Sequence, residues 1–378
     1  MSGRRIAFYA PLKAPSHPTP SGDRRMARLL IQAIEAAGGT VTLASDFRAY
    51  DGQGDGNRQL ALRREGEALA AELIEQYRRL GENERPTAWF TYHLYHKAPD
   101  WIGPAVSAAL DIPYLVAEAS FAPKRADGPW GLGHNAATRA IAAADQVFCL
   151  TRLDMACVEP LIPAHHRLSY LPPFLDPLPF AQAVAERAAV ASRFDLDVGR
   201  NWLLAVAMMR PGDKLDSYRR LGAALSLLDG DDWQLLVIGD GSAHDDAVAA
   251  LAPTTDRGDG RIVFAGALPP ADLPDIYAAC DLYLWPGVGE AYGMAYLEAQ
   301  AAGLPVVAGN ERGVPDVVCH ERTGLLTPPG DDAAFAGATR RLLDDDGLRH
   351  KLSKGASSFV NQERTVAAAA RIIGEALA

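Results

Sequence analysis

With 378 residues, 48% hydrophobic and 22% charged, the chain is long enough for two ordinary domains, each with its own core, and has the make-up of a soluble globular protein. The net charge of −10 is uneven: residues 1–175 sum to about +1 and the remainder to about −11. The acidic half argues against nucleic acid or an anionic membrane as its partner, so a phosphate site there must be built locally from a few cations and backbone N–H groups. Cys149, Cys157, Cys280 and Cys319 are scattered without a C-x-x-C pair, which points to reduced thiols, a cytoplasmic location and no zinc site. The apolar run Ile6–Ala10 is stopped by Pro11, too short for a signal peptide, and no later run reaches the roughly eighteen apolar residues of a membrane span. Peripheral membrane contact through the more basic N-terminal half stays open.

The elements alternate in type along the chain. RIAFYA, a Pro-rich loop, MARLLIQAIEAAG and TVTLAS form a β-α-β unit. AWFTYH, PAVSAALDI, PYLVAEA, TRAIAAAD and QVFCLT continue the rhythm, which predicts a parallel sheet wrapped by helices. Ser21-Gly22 stands before the first helix and can offer backbone N–H groups to a ligand. His93 ends the strand AWFTYH and Glu118 the strand PYLVAEA, both at strand termini where α/β sheets place ligands. His93 and His96 have i, i+3 spacing but lack a third metal ligand in register. Lys124, Arg125 and Arg139 can meet an anionic acceptor or simply stay solvated.

LPPFLDPLPF (residues 171–180) breaks the rhythm, which restarts with WLLAVAMM, WQLLVIGDG, RIVFAG, DLYLW and LPVVAG. Two doubly wound domains joined near residues 172–200 are predicted. At the end of WLLAVAMM, Arg210 and Lys214 flank the turn Pro211-Gly212-Asp213, well placed to neutralise a diphosphate; the plainer alternative pairs Arg210 with Asp213 and leaves Lys214 solvated. LLVIGDG ends at Gly239-Asp240-Gly241, where a flat base can approach the backbone. Glu290 then lies on the loop after the strand DLYLW and Glu298 about a turn and a half into the following helix. Gly293, Met294 and Ala295 between them supply the N–H groups of a helix start. Such an arrangement suits a diphosphate flanked by sugars, that is, a nucleotide sugar. Three looser matches carry little: Asp195-Leu196-Asp197 lies beside the linker, Gly131-Leu132-Gly133-His134-Asn135-Ala136 has no strand before it, and Gly287-Val288-Gly289 has Tyr292 where a third glycine belongs.

The string from Glu290 through Tyr292-Gly293 and Leu297-Glu298-Ala299 to Ala301-Ala302-Gly303-Leu304-Pro305-Val306-Val307 resembles the donor-site signature of retaining glycosyltransferases of family 4. LPDIYAACDLYLWP and TGLLTPPGD resemble further family segments. MMRPGDKL departs from the family's G-R-L-x-x-x-K-G pattern, lacking the Gly before Arg and one residue between the cations. Arg312 stands where the family shows the first of two glycines; whether it and Glu118 face substrate stays open.

The resemblance implies an α/β protein of GT-B fold: two doubly wound Rossmann-like domains facing across a cleft, with the C-terminal helix crossing back to the first. The expected boundaries are 1–175 with 360–378 on the acceptor side, and 176–359 on the nucleotide-sugar side. It further implies transfer of a sugar from a nucleotide-diphosphate sugar to an unknown acceptor hydroxyl, with retention of configuration and without metal or cofactor. Arg210, Lys214 and the helix N–H groups would stabilise the leaving group, Glu290 would hold sugar hydroxyls, Glu298 the ribose, and His93 would position acceptor or sugar. Tyr292, Gly293, Met294, Ala295, Gly239, Asp240 and Gly22 complete the expected donor contacts. Two rivals remain, a nucleotide-sugar epimerase of the same architecture and a nucleotide-sugar-binding protein without turnover.

Overall fold

The structure, a computed structural model, describes all residues except 1, 2, 20, 163, 185, 229, 231, 256–260 and 378. It divides into one unit of Met1–Pro172 with Val366–Ala378 and another of Pro173–Thr365.

The first unit is built on strands β1 (Arg4–Tyr9), β2 (Gly39–Ser45), β3 (Ala88–Leu94), β4 (Tyr114–Ala119), β5 (Gln146–Cys149) and β6 (Leu168–Tyr170), all parallel in the order β2-β1-β3-β4-β5-β6. The central strands are covered on both faces, so they read as unbroken apolar runs rather than alternating ones; β4 is buried along its whole length. Connecting helices span Gly22–Ala36, Gly56–Arg79, Gly103–Leu110, Gly131–Ala143 and Arg152–Val158. Ser21 caps the first of these, its Oγ accepting the Arg24 N–H at 3.2 Å. The 24-residue Gly56–Arg79 helix has no counterpart in the pattern read from the sequence; Asp55 starts it by accepting from the N–H groups of Asn57 and Arg58.

The second unit carries β7 (Asn201–Val206), β8 (Trp233–Ile238), β9 (Ile262–Phe264), β10 (Leu282–Trp285), β11 (Val306–Gly309) and β12 (Gly324–Thr327), again all parallel, in the order β12-β11-β10-β7-β8-β9. The order reverses at β7 and β10, the topological switch point where open α/β sheets bind ligands. Two helices that matter for the site start there, Asp213–Ser226 after β7 and Met294–Ala301 after β10.

The last long helix of the second unit, Asp346–Glu363, is held by a hydrogen bond from Leu175 N–H to Arg364 C=O (2.9 Å). Beyond it, the Val366–Ala376 helix packs on the Gly22–Ala36 helix of the first unit, burying Ala369, Ala370 and Ile373. Among the described residues no helix is long and apolar enough to cross a membrane.

Candidate functional site

The second unit gathers Arg210, Lys214, Glu290 and Gly293 at the C-terminal ends of β7 and β10. Arg210 follows β7 and is exposed, its carbonyl accepting the Leu215 N–H at 3.1 Å. No carboxylate lies within 4.0 Å of its guanidinium among the described residues, so the anticipated alternative pairing with Asp213 does not form. Asp213 instead lies against Gly289, where a Cβ would come within 2.5 Å of Asp213 Oδ2. Lys214 is not solvated either. Its Nζ pairs with Glu290 Oε2, both side chains being mostly buried, and lies 5.5 Å from the centroid of the Trp285 ring. Lys214 and Glu290 therefore neutralise each other.

The loop carrying Glu290 is fixed at both ends. Val288 N–H donates to Ser217 Oγ at 2.9 Å, and Glu290 N–H donates to Gly287 C=O at 3.0 Å. Gly293 opens the Met294–Ala301 helix at φ +80°, and a Cβ there would meet the Tyr296 ring at 2.6 Å and Glu290 Cγ at 3.1 Å. Tyr296 N–H donates to Gly293 C=O (3.2 Å), so Gly293, Met294 and Ala295 stand ahead of the first internal hydrogen bond of this helix. Tyr292 is buried beside them. Glu298, 5% exposed, accepts from Tyr277 Oη at 3.0 Å, which fixes its carboxylate from the preceding helix.

Gly239-Asp240-Gly241 follows β8 and is laced to the β7 exit. Met209 N–H donates to Asp240 C=O at 2.9 Å, and Ala243 N–H to Met209 C=O at 3.0 Å. Gly239 has φ +146°, and a Cβ on it would fall 1.8 Å from Ala207 O, so only glycine fits. Arg312 adopts φ +38°, a conformation that glycine takes at lower cost, and its Nη1 donates to Gly289 C=O over 3.4 Å.

Gly22 and His93 lie in the first unit. His93 sits near the end of β3 with φ +61°, and Glu118 near the end of β4 with φ +57°. Its Nδ1 is 3.1 Å from Asp23 Oδ1, out of line for a full hydrogen bond, and 3.7 Å from Glu118 Oε1. Burial alone would push the imidazole down; Glu118 and Asp23 override it and raise the His93 pKa to about 9. Glu118 itself is raised by burial, against the pull of His93. Asp23 moves the other way: burial pushes it up, but its contact with His93 and the Lys13 charge hold it below the usual range. Asp23, immediately after Gly22, is the residue that sequence reasoning missed; its acidity in a first helical turn reads as ordinary capping until β3 brings His93 to it. Among the described residues no group of three His, Cys, Asp or Glu side chains could hold a metal ion.

Residues 200–345 match the family model described as Glycosyl transferases group 1. The D-inositol 3-phosphate glycosyltransferase of Salinispora tropica is 34% identical over 232 residues, which cover 56% of this chain and 47% of the relative. The 2-deoxystreptamine glucosyltransferase of Streptomyces kanamyceticus is 40% identical over 118 residues, 31% of this chain and 30% of that one. The chain thus spans about half the length, or less, of these curated relatives. Over the whole fold, the Anabaena protein HepE solved with UDP superimposes with a TM-score of 0.75 at 17% identity, covering 99% of both chains. Sucrose-phosphate synthase from Thermosynechococcus elongatus does so at 0.71 and 20% identity, covering 98% of both. The chain resembles glycosyltransferases of family 4. Its fold is GT-B, with one Rossmann-like domain in each unit. The family model covers the β7–β12 region, where Glu290, Glu298 and the glycines around them lie.

Proposed function

We propose that the protein transfers a sugar from a nucleotide-diphosphate sugar to an acceptor hydroxyl, retaining the configuration at the anomeric carbon and requiring no metal. The observation that carries this reading is the Lys214–Glu290 pair at the switch point, beside the glycine-headed helix of Met294–Ala301. A donor would part the pair. Its diphosphate takes Lys214, Arg210 and the N–H groups at Gly293, Met294 and Ala295, while its sugar hydroxyls take Glu290. Glu298, fixed by Tyr277, holds the ribose, and Gly239-Asp240 lies against the base. In transfer, the bond from the anomeric carbon to the diphosphate oxygen breaks as the acceptor oxygen bonds to the same face. The acceptor proton passes to the departing diphosphate, so no protein base is needed. His93, charged at neutral pH, orients a sugar or acceptor hydroxyl. The protein acts in the cytoplasm, where nucleotide sugars are at hand.

A thermal-shift panel of UDP-, GDP-, ADP- and TDP-sugars with and without EDTA tests this. A ligand at about a hundred times its dissociation constant adds roughly 2.7 kcal/mol, or roughly 2–4 °C for domains of this size. A shift with one nucleotide that EDTA leaves intact supports the reading. No shift with any of them removes its basis.

A further inference from the structure

At the C-terminal edge of the first sheet lies a basic and aromatic cluster that the donor chemistry leaves unused. His96 and Lys97 follow β3, Arg125 and Trp130 follow β4, and His134 comes from the first turn of the Gly131–Ala143 helix. Trp130 is locked in place: its indole N–H donates to Asp51 C=O at 2.9 Å, and Gln59 Nε2 donates to the adjacent Pro129 C=O at 2.9 Å. Onto that ring come Lys97 Nζ, 4.8 Å from the centroid, the Arg125 guanidinium at 5.4 Å, and the His96 ring edge-on at 5.8 Å.

Both cations are half-buried, and neither meets a carboxylate within 4.0 Å among the described residues. Asp51 forms no ion pair with them; its carboxylate accepts from Gln59 Nε2 and from the N–H groups of Gln53 and Gly54. Two like charges on one indole repel, and an anion between them reverses the sign of that interaction. A second observation is independent of charge. His134 is only 6% exposed, yet neither of its ring nitrogens has a hydrogen-bond partner among the described residues, and His96 Nε2 is in the same position. A buried polar group left unpaired costs about 1–3 kcal/mol, and native proteins match such groups with water, an ion or a ligand. Burial, then Arg125, Lys97 and His134, push His96 down to about 4, so at neutral pH it offers one donor and one acceptor.

We propose that Lys97, Arg125, His96 and His134 form an anion subsite for the acceptor, and that the acceptor bears a phosphate group. The guanidinium fork and the ammonium hold phosphate oxygens, the imidazoles hold neighbouring hydroxyls, and Trp130 is the platform. The word acceptor rests on the transferase reading above; the subsite itself does not. Phosphate could arrive on a soluble polyol or on a lipid headgroup, and the test separates the two.

Binding of glucose 6-phosphate and of glucose to the full chain is compared by calorimetry, alongside retention on phosphatidylglycerol and phosphatidylcholine vesicles, with UDP as a probe of the second unit. At least a tenfold preference for glucose 6-phosphate over glucose assigns a soluble phosphate; retention on phosphatidylglycerol alone assigns a lipid one. In Lys97→Gln/Arg125→Gln that preference falls at least tenfold while UDP binding is unchanged. His134→Phe, which removes both unpaired nitrogens, weakens the same binding without loss of thermal stability. The proposal is overturned if neither phosphate probe is preferred over its neutral counterpart, or if the preference survives in the double variant. Failure of UDP, GDP, ADP and TDP alike to bind either protein would sink the transferase reading instead and leave the subsite result standing.

Discussion

Both units put their functional groups at the ends of parallel strands, but they bend the backbone there by different means. In the second unit the turns fall on glycine: Gly239 beside Ala207 O and Gly293 beneath the Tyr296 ring leave no space for a side chain. In the first, the left-handed positions are His93 and Glu118, which carry side chains at a cost of order 1–3 kcal/mol each. The glycine turns bring backbone N–H groups close to a ligand. The strained turns instead aim an imidazole and a carboxylate at each other and at Asp23, so that charge attraction offsets the strain. The second unit thus adds main-chain groups to its side chains at the strand ends, whereas the first relies on side chains, and substitutions should separate the two designs.

The largest expected effect is on chemistry in the second unit. Lys214→Ala should lower turnover about 10²–10³-fold, the range seen when a preorganised group facing developing charge is removed. Glu290→Gln should do likewise with donor binding retained; steady-state rates and donor titration check both, and normal turnover in either would remove that residue from the mechanism. Next comes stability at the glycine turn. Gly239→Ala forces a Cβ onto Ala207 O and should cost about 3 kcal/mol by chemical denaturation. A cost below ~1 kcal/mol would show that the β7–β8 exits are not a main-chain site.

The first unit should answer to pH. The His93 pKa is raised from its ordinary 6.5 to about 9, so its stabilising contribution is fully present below about 6.5 and lost as pH rises through about 9. The free energy of unfolding from urea titrations should fall over that window by on the order of 2 kcal/mol, and His93→Gln should flatten the profile. An unaltered profile in the variant would mean that the carboxylates do not hold the imidazole charged. Arg312→Gly is the mildest test. Giving the φ +38° position a glycine should raise stability by ~0.5–1 kcal/mol, a small gain because the unfolded chain also becomes freer. A loss would mean that the arginine is held by contacts stronger than its 3.4 Å reach to Gly289.

These contrasts also explain what could be read before folding. The second unit's site is written as spacing: glycines and two glutamates eight apart around one strand–helix turn fix their own geometry within about a dozen residues. The strand rhythm of both sheets is equally local, since buried parallel strands are runs of apolar residues. The first unit's network is not local. Asp23 gains its meaning only from His93, seventy positions away, and Lys97 and Arg125 look like solvated loop charges until Trp130 brings them together. The Gly56–Arg79 helix is obscure for another reason. It buries only Gln59, Leu62, Gly66, Ala70 and Tyr77 along 24 residues, so its apolar stripe is thin. Glu298 is legible as part of its motif, but the contact that fixes its carboxylate comes from Tyr277 on a separate helix. The Lys214–Glu290 pair joins two motifs that each could be read singly, yet nothing in either one announces the partner.

The Val366–Ala376 helix has a consequence in time. The first unit is made of two stretches of chain separated by the whole of the second. At translation rates of 5–20 residues per second, Val366 emerges roughly 10–40 s after Pro172. For that interval, while the second unit is being synthesised, the surface of the Gly22–Ala36 helix awaiting Ala369, Ala370 and Ile373 is bare. The N-terminal half is therefore made first and finished last, and a nascent chain cut short anywhere before the final helix leaves a sticky, incomplete domain for the cell's proteases to find.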